Sequence, residues 1–341
     1  MDKKSKPEKP LLDLIQQLKR AAEIPERYCD ILAHFITCYR TAVAEGGGSF
    51  TAVEPRLRQF IEQAKVQFQT PYSFEPYHQK IRAPFDYYQF ALDFFLPLID
   101  LQRSQFRGAE IVEQICSQLN RGENSIFLAN HQTEPDPQAI ALLLRDRFPK
   151  LAESIIYVAG ERVVTDPLAI PFSLGTDLLC IYSKRYIDHP PEQKAKKLLH
   201  NKQTMEKMSR LLQEGGKAIY VAPAGGRDRR GSDGRIAPAP FDPQSLELFF
   251  LMAKKAQTPT HFYPLALSTY DLLPPPESVQ RELGETRVAR RTPIAIAFGP
   301  ECDMLHYPGS DAPDKEQRRQ NRAKWIDSLV QSLYEQIRGD L

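Results

Sequence analysis

His131 and Asp136 stand five positions apart in the stretch SIFLANHQTEPDPQAIALLL, residues 125–144. A carboxylate beside an imidazole fixes its tautomer and stabilises the imidazolium, so that the other ring nitrogen can take a proton from a hydroxyl. The spacing alone is a weak motif, and a structural turn histidine is the plainer reading of the same residues. Context strengthens the chemical reading. An apolar run stops at Asn130, a polar turn holding Pro135 and Pro137 follows, and a helix-like apolar pattern then resumes. Strand, turn and helix in that order raise a side chain to the rim of a sheet.

A second group lies in APAGGRDRRGSDGR, residues 222–235. Two glycines let backbone amides approach an anion, and Arg227, Arg229 and Arg230 offer forked donors to phosphate oxygens. A solvated charged loop is the alternative, but Asp228 is the one acid among these three arginines. In IYSKRYIDHP, Lys184 and Arg185 follow another apolar run and can add to the same positive pocket; taken alone they read as an exposed basic pair. Further on, Lys194, Lys196, Lys197, Lys202, Lys207 and Arg210 alternate with Ala195, Leu198, Leu199, Met205, Met208 and Leu212 at helical spacing. That pattern is first a core-facing helix with a solvated outer face. Docking of an acidic partner, or transient contact with an anionic membrane surface, is its minor reading.

Some chemistries are excluded. The seven histidines are scattered, with no HxH, HExxH or paired cysteines, so no metal site is expected. Neither GxSxG nor a Walker A sequence occurs, which argues against an α/β-hydrolase and a P-loop NTPase.

The elements that must position these residues follow from periodicity. Apolar residues recur at helical spacing in PLLDLIQQLKRAAEI, RYCDILAHFITCYRTAV and VEPRLRQFIEQAKVQF, the second ending at Gly46, Gly47 and Gly48. This predicts a helical bundle over residues 1–75, with a Pro- and aromatic-rich linker over 71–84. From residue 124, short runs rich in Ile, Val, Tyr and Phe (SIFLAN, SIIYVAG, LLCIYS, AIYVAPA, THFYPLAL, TPIAIAFG) alternate with longer helical patterns. Asp242 and Pro243 read as N-cap and first residue of one such helix. The expected fold is α/β: a largely parallel mixed sheet flanked by helices, over residues 76–341, preceded by the small bundle. His131, the Lys184–Arg185 pair and the arginine loop all fall at C-terminal ends of strands, where such sheets carry their sites.

With 341 residues, 42% hydrophobic content and 26% charge, the chain is long enough for a large core and ordinary in composition. A net charge of +2 gives no global basic field of the kind nucleic-acid binders show. The most apolar stretch, residues 90–101, is short and broken by Asp93 and Pro97, so no transmembrane segment is expected. The charged start MDKKSKPEKP has no apolar region behind it. Five cysteines without CxxC spacing fit a reducing compartment: a bacterial cytoplasm, or a plastid stroma if a transit peptide has been removed.

Taken together, the segments resemble the soluble, plastid- and chlamydia-type glycerol-3-phosphate 1-O-acyltransferases. NHQTEPDP is similar to that family's form of the His-x4-Asp motif, and IRAPFDYYQFALDFFLPLIDLQRS to the segment before it. VAGERVVTDPLAIPFSLGTDLLCIYSK, APAGGRDR and PAPFD are similar to the second, third and fourth blocks. The resemblance runs from about Tyr77 to His261; the helical start matches in architecture more than in sequence. It implies a bundle followed by an acyltransferase domain. It also implies transfer of a fatty acyl group from acyl-carrier-protein or acyl-CoA to the sn-1 hydroxyl of glycerol 3-phosphate, with no metal and no cofactor. His131 would be the base, Asp136 its partner, and Arg227 and Arg229 ligands of the substrate phosphate, joined by Lys184 and Arg185. Where the family has Lys-Lys-His after the serine aligned with Ser183, this chain has Lys184, Arg185 and Tyr186. A 1-acylglycerol-3-phosphate acyltransferase and a non-catalytic module that binds lipid or carrier protein are the competing readings.

Overall fold

The structure, a computed structural model, describes residues 7–183, 187–231, 233–276 and 283–339. At its centre is an eight-stranded sheet of β1 (Tyr77–His78), β2 (Gln105–Arg107), β3 (Asn124–Ala129), β4 (Ile155–Gly160), β5 (Asp177–Ile181), β6 (Ala218–Val221), β9 (Thr260–Ser268) and β10 (Ala295–Phe298). The order is β1-β5-β4-β6-β3-β9-β10-β2. From β5 to β9 every neighbouring pair is parallel, as is β10 with β2, while β1 joins β5 and β10 joins β9 antiparallel. All six apolar runs form strands. The edge strands β1 and β2, two and three residues long, are too short to carry a periodic signal in the sequence. A two-stranded ribbon, β7 (Arg229–Arg230) and β8 (Ile236–Ala237), stands apart from the sheet.

Both faces of the sheet are covered, which is why its strands read as continuous apolar runs. Along β3, Ile126 and Leu128 point to one face and Phe127 and Ala129 to the other. The first face packs against α10 (Lys194–Glu214), α11 (Pro243–Ala256) and α12 (Lys315–Arg338). Asp242 caps α11, accepting a 2.9 Å hydrogen bond from the Ser245 amide, a contact worth about 1 kcal/mol. The second face meets α4 (Tyr87–Phe95), α5 (Ala109–Asn120) and α6 (Asp136–Leu144). It also meets the three N-terminal helices, α1 (Lys9–Arg20), α2 (Glu26–Glu45) and α3 (Phe50–Gln69), which belong to the same apolar cluster. Phe35 of the bundle stacks on Phe94 of α4, Phe60 meets that ring at a tilt, and the Tyr39 hydroxyl donates to the Phe94 carbonyl at 2.6 Å.

The basic helix α10 departs from its expected pattern. Met208 and Leu212 are in the core, but Leu198 and Leu199 are 48% and 56% exposed. Lys197 is buried instead, with its ammonium 3.1 Å from Glu161 and 2.7 Å from the His189 carbonyl. The first turns of the helix thus follow an inward-facing ion pair rather than the apolar stripe.

Candidate active site

β3 delivers His131 to the C-terminal rim of the sheet, and α6 begins at Asp136. The His131 ring nitrogen Nδ1 lies 2.7 Å from Asp136 Oδ2. Asp136 is 1% exposed and the imidazole 28%. The carboxylate also accepts from the Gln132 amide at 2.9 Å, from the Thr133 amide at 3.3 Å and from the Thr269 hydroxyl at 2.6 Å. An ionised carboxylate only accepts, so Nδ1 carries the hydrogen and Nε2 is the nitrogen able to take a proton. Donors from the turn and from beyond β9 aim the carboxylate, and the carboxylate aims the ring.

The arginine loop is bolted to this turn by Asp228, which is fully buried. Its amide donates to the His131 carbonyl at 2.6 Å. Its carboxylate accepts from Asn130 at 2.8 Å, from Gln132 at 3.2 Å and from the Ala239 amide at 2.9 Å. Asn130 and Gln132 in turn hold the end of β9, through Leu267 in one case and the Thr269 and Tyr270 amides in the other. Burial pushes the Asp228 carboxyl up to about 6, against the pull of these donors. Folded Asp228 therefore holds a proton between about pH 4 and 6 that the unfolded chain releases, so its favourable contribution is full below that window and lost as pH rises through it. In urea titrations, Asp228→Asn is expected to lose this falling component, about 1.4 kcal/mol for each unit by which the pKa is raised. Parallel stability curves for variant and wild type over that window would refute it.

Arg227 and Arg229 flank Asp228, but they do not form a bare positive wall. Glu285, 3% exposed, bridges Arg227 at 2.6 Å and Arg162, which follows β4. Glu134 pairs with Arg287 at 3.0 Å and sits 3.8 Å from Arg227. Arg287 reaches on to Asp166 at 3.0 Å. Burial works against the Arg287 charge, yet Glu134 and Asp166 win and hold the guanidinium above its ordinary range. Arg229 donates to the Pro276 carbonyl; burial and the nearby Arg227 lower its pKa. Arg230 turns away, bonding the Gly234 carbonyl and lying over the Tyr270 ring.

The structure thus joins His131, Asp136, Arg227 and Arg229 in one site. Lys184, Arg185 and the neighbouring Tyr186 lie outside the described residues. Sequence reasoning missed Asn130, Gln132, Thr269, Arg162, Glu285 and Arg287. Arg162 alone carried a readable signal, a cation directly after an apolar strand.

The five thiols give no sign of an activated nucleophile. Burial raises each of them, Cys180 and Cys302 to about 12. Among the described residues no group of three or more His, Cys, Asp or Glu could hold a metal ion, and no helix is long and apolar enough to cross a membrane.

A family model described as Acyltransferase matches residues 103–268. The chain is 34% identical over 330 residues to the chloroplastic glycerol-3-phosphate acyltransferase of Arabidopsis thaliana, covering 95% of this chain and 71% of that one. Against the corresponding protein of Spinacia oleracea it is 37% identical over 297 residues, 85% and 63% of the two chains. A solved 1-acyl-sn-glycerophosphate acyltransferase from Thermotoga maritima overlays 91% of this chain and 97% of its own with a TM-score of 0.41 at 14% identity, too distant to bear on function. Similarity of this extent to the plant proteins carries the assignment: the chain belongs to the glycerol-3-phosphate acyltransferase family.

Proposed function

We propose that the chain transfers a fatty acyl group from a thioester to the sn-1 hydroxyl of glycerol 3-phosphate, giving lysophosphatidic acid. The observation that carries this reading is the His131–Asp136 pair at 2.7 Å, tied through one buried residue to the arginine loop. His131 Nε2 takes the hydroxyl proton as the oxygen attacks the thioester carbonyl. The tetrahedral oxyanion collapses, the C–S bond breaks, and the imidazolium returns its proton to the leaving thiolate. Phosphate held by Arg227 and Arg229 makes the encounter effectively intramolecular. Written this way, the reaction needs no acyl-enzyme, metal or cofactor. Acyl-carrier-protein and acyl-CoA both fit as donors, and a plastid stroma or bacterial cytoplasm as the compartment; the relatives' chloroplastic names support the first compartment.

The test separates the two substrates. Arg227→Ser and Arg229→Ser are each expected to raise KM for glycerol 3-phosphate by about 10- to 150-fold, from the loss of a charge-assisted contact worth roughly 1.5–3 kcal/mol. KM for the acyl donor should stay near its wild-type value. Equal effects on both would show that the arginines hold the loop and not the ligand. Comparing glycerol 3-phosphate with its 1-acyl derivative as acceptor, in the same radiolabelled assay, decides between this activity and the second acylation.

Lys184 and Arg185 complete the proposed phosphate site. Arg185→Ser removes a permanent cation and is expected to act like the loop variants. Tyr186→Phe removes a neutral hydroxyl worth about 0.5–1.5 kcal/mol, so its KM should change by no more than roughly tenfold. If Tyr186→Phe proves as damaging as Arg185→Ser, the tyrosine itself is a principal ligand.

A further inference from the structure

We infer that Asp228 is a positioning residue that decides which hydroxyl of the acceptor meets His131. The inference rests on the reading of Arg227 and Arg229 as phosphate ligands. Those two arginines are the chain neighbours of Asp228, so wherever Asp228 sits, the phosphate sits in fixed relation to it. Asp228 touches three consecutive residues of the histidine turn: the Asn130 and Gln132 side chains through its carboxylate and the His131 carbonyl through its amide. It makes these contacts from a position with no exposed surface. The turn is also clamped to the end of β9: Asn130 Nδ2 donates to the Leu267 carbonyl as well as to Asp228, Asn130 Oδ1 accepts from the Leu267 amide, and the Gln132 oxygen accepts from the Thr269 and Tyr270 amides. Phosphate site and base are therefore the two ends of one short rigid link. The C1 and C2 hydroxyls of glycerol 3-phosphate differ in reach from the phosphorus by about one carbon–carbon bond, roughly 1.5 Å. A link that holds its length to well under that distance presents one hydroxyl to Nε2 and leaves the other short of it. Loosening the link leaves both arginines in place and blurs this choice.

Asp228→Asn replaces an acceptor that serves three donors by a group that must turn its own N–H toward at least one of them. Gln132→Glu in the same chain supplies a new acceptor opposite that N–H while keeping the acceptor used by the Thr269 and Tyr270 amides. Wild type, Asp228→Asn, Gln132→Glu and the double variant are assayed with palmitoyl-CoA and glycerol 3-phosphate. The 1-acyl and 2-acyl products are separated under conditions that suppress acyl migration, and thermal melts check folding. For Asp228→Asn we expect kcat to fall roughly 10- to 100-fold, KM for glycerol 3-phosphate to stay within about threefold, and the share of 2-acyl product to rise at least ~10-fold. The double variant should return the product ratio toward wild type. Should Asp228→Asn not fold, Gln132→Glu alone, which replaces the donor to Asp228 and Tyr334 and keeps the acceptor for β9, must shift the ratio in the same direction. A lowered kcat with an unchanged product ratio, or a ratio that the double variant does not recover, overturns the inference and leaves Asp228 a structural residue. Absence of any transfer to glycerol 3-phosphate by the wild type would overturn the functional reading itself and this inference with it.

Discussion

Replacing His131 by Ala should lower kcat by roughly 100-fold or more, with little change in the unfolding midpoint. The ring is 28% exposed and makes one strong contact, to Asp136, so its removal opens no large cavity. What is lost is the group that accepts the hydroxyl proton and later returns it to the thiolate. Asp136→Asn should also lower kcat, but less cleanly. Asp136 accepts from the Gln132 and Thr133 amides and from Thr269 as well as from the imidazole. An amide side chain there turns its N–H either to the Thr269 hydroxyl, which must then rotate to accept, or to a backbone amide that cannot, so some stability should be lost along with turnover. Steady-state kinetics beside thermal melts separate the two variants. Near-normal turnover in a well-folded His131→Ala protein would remove general-base catalysis from the mechanism.

The largest expected effect on stability lies away from the histidine. Arg287→Met should destabilise the fold by about 3–5 kcal/mol, because it leaves buried Asp166 without its guanidinium and Glu134 with the more distant Arg227, 3.8 Å away. Arg287 is 8% exposed and its partners 15% and 4%, so solvent screens little of the interaction. Arg290→Ala, three residues on, is the control. Its contact with Asp271 is 3.4 Å long and over half exposed on both sides, a kind of pair worth about 0–1 kcal/mol. Urea unfolding of both variants provides the comparison. A loss below about 1 kcal/mol for Arg287→Met would mean that water reaches the two acids and replaces the guanidinium.

Much of the site was legible because it lies in contiguous sequence. The turn holding His131 and Asp136 is six residues of one strand-to-helix connection, and Arg227 follows the end of β6 by six positions. The six main strands were legible because both sheet faces are covered, leaving runs such as SIFLA without a polar interruption. The charge network was not. Arg287 lies 153 positions from Glu134 and 121 from Asp166, a separation at which local pattern carries no information. Asp228 shows the limit most clearly. In sequence it is the lone acid that dilutes a basic loop; in the fold it is buried and joins that loop to the histidine turn. Lys197 and Leu198 reverse their expected places for a similar reason, since Glu161 lies 36 positions away and draws the lysine inward.

The pairing of Arg162, Arg227 and Arg287 with Glu134, Asp166 and Glu285 also bears on how substrate arrives. Opposite charges held this close cancel within a few ångströms, and the chain as a whole carries only +2. Little field from these residues extends beyond a Debye length of about 8 Å at physiological salt. A phosphate approaching through solvent is therefore not drawn in from afar by this cluster, as it is in proteins whose clefts focus charge of one sign. Any long-range pull must come from cations outside this cluster, Arg229 and the proposed ligands Lys184 and Arg185, so the dependence of the association rate on ionic strength should follow those three residues and not Arg162, Arg227 or Arg287.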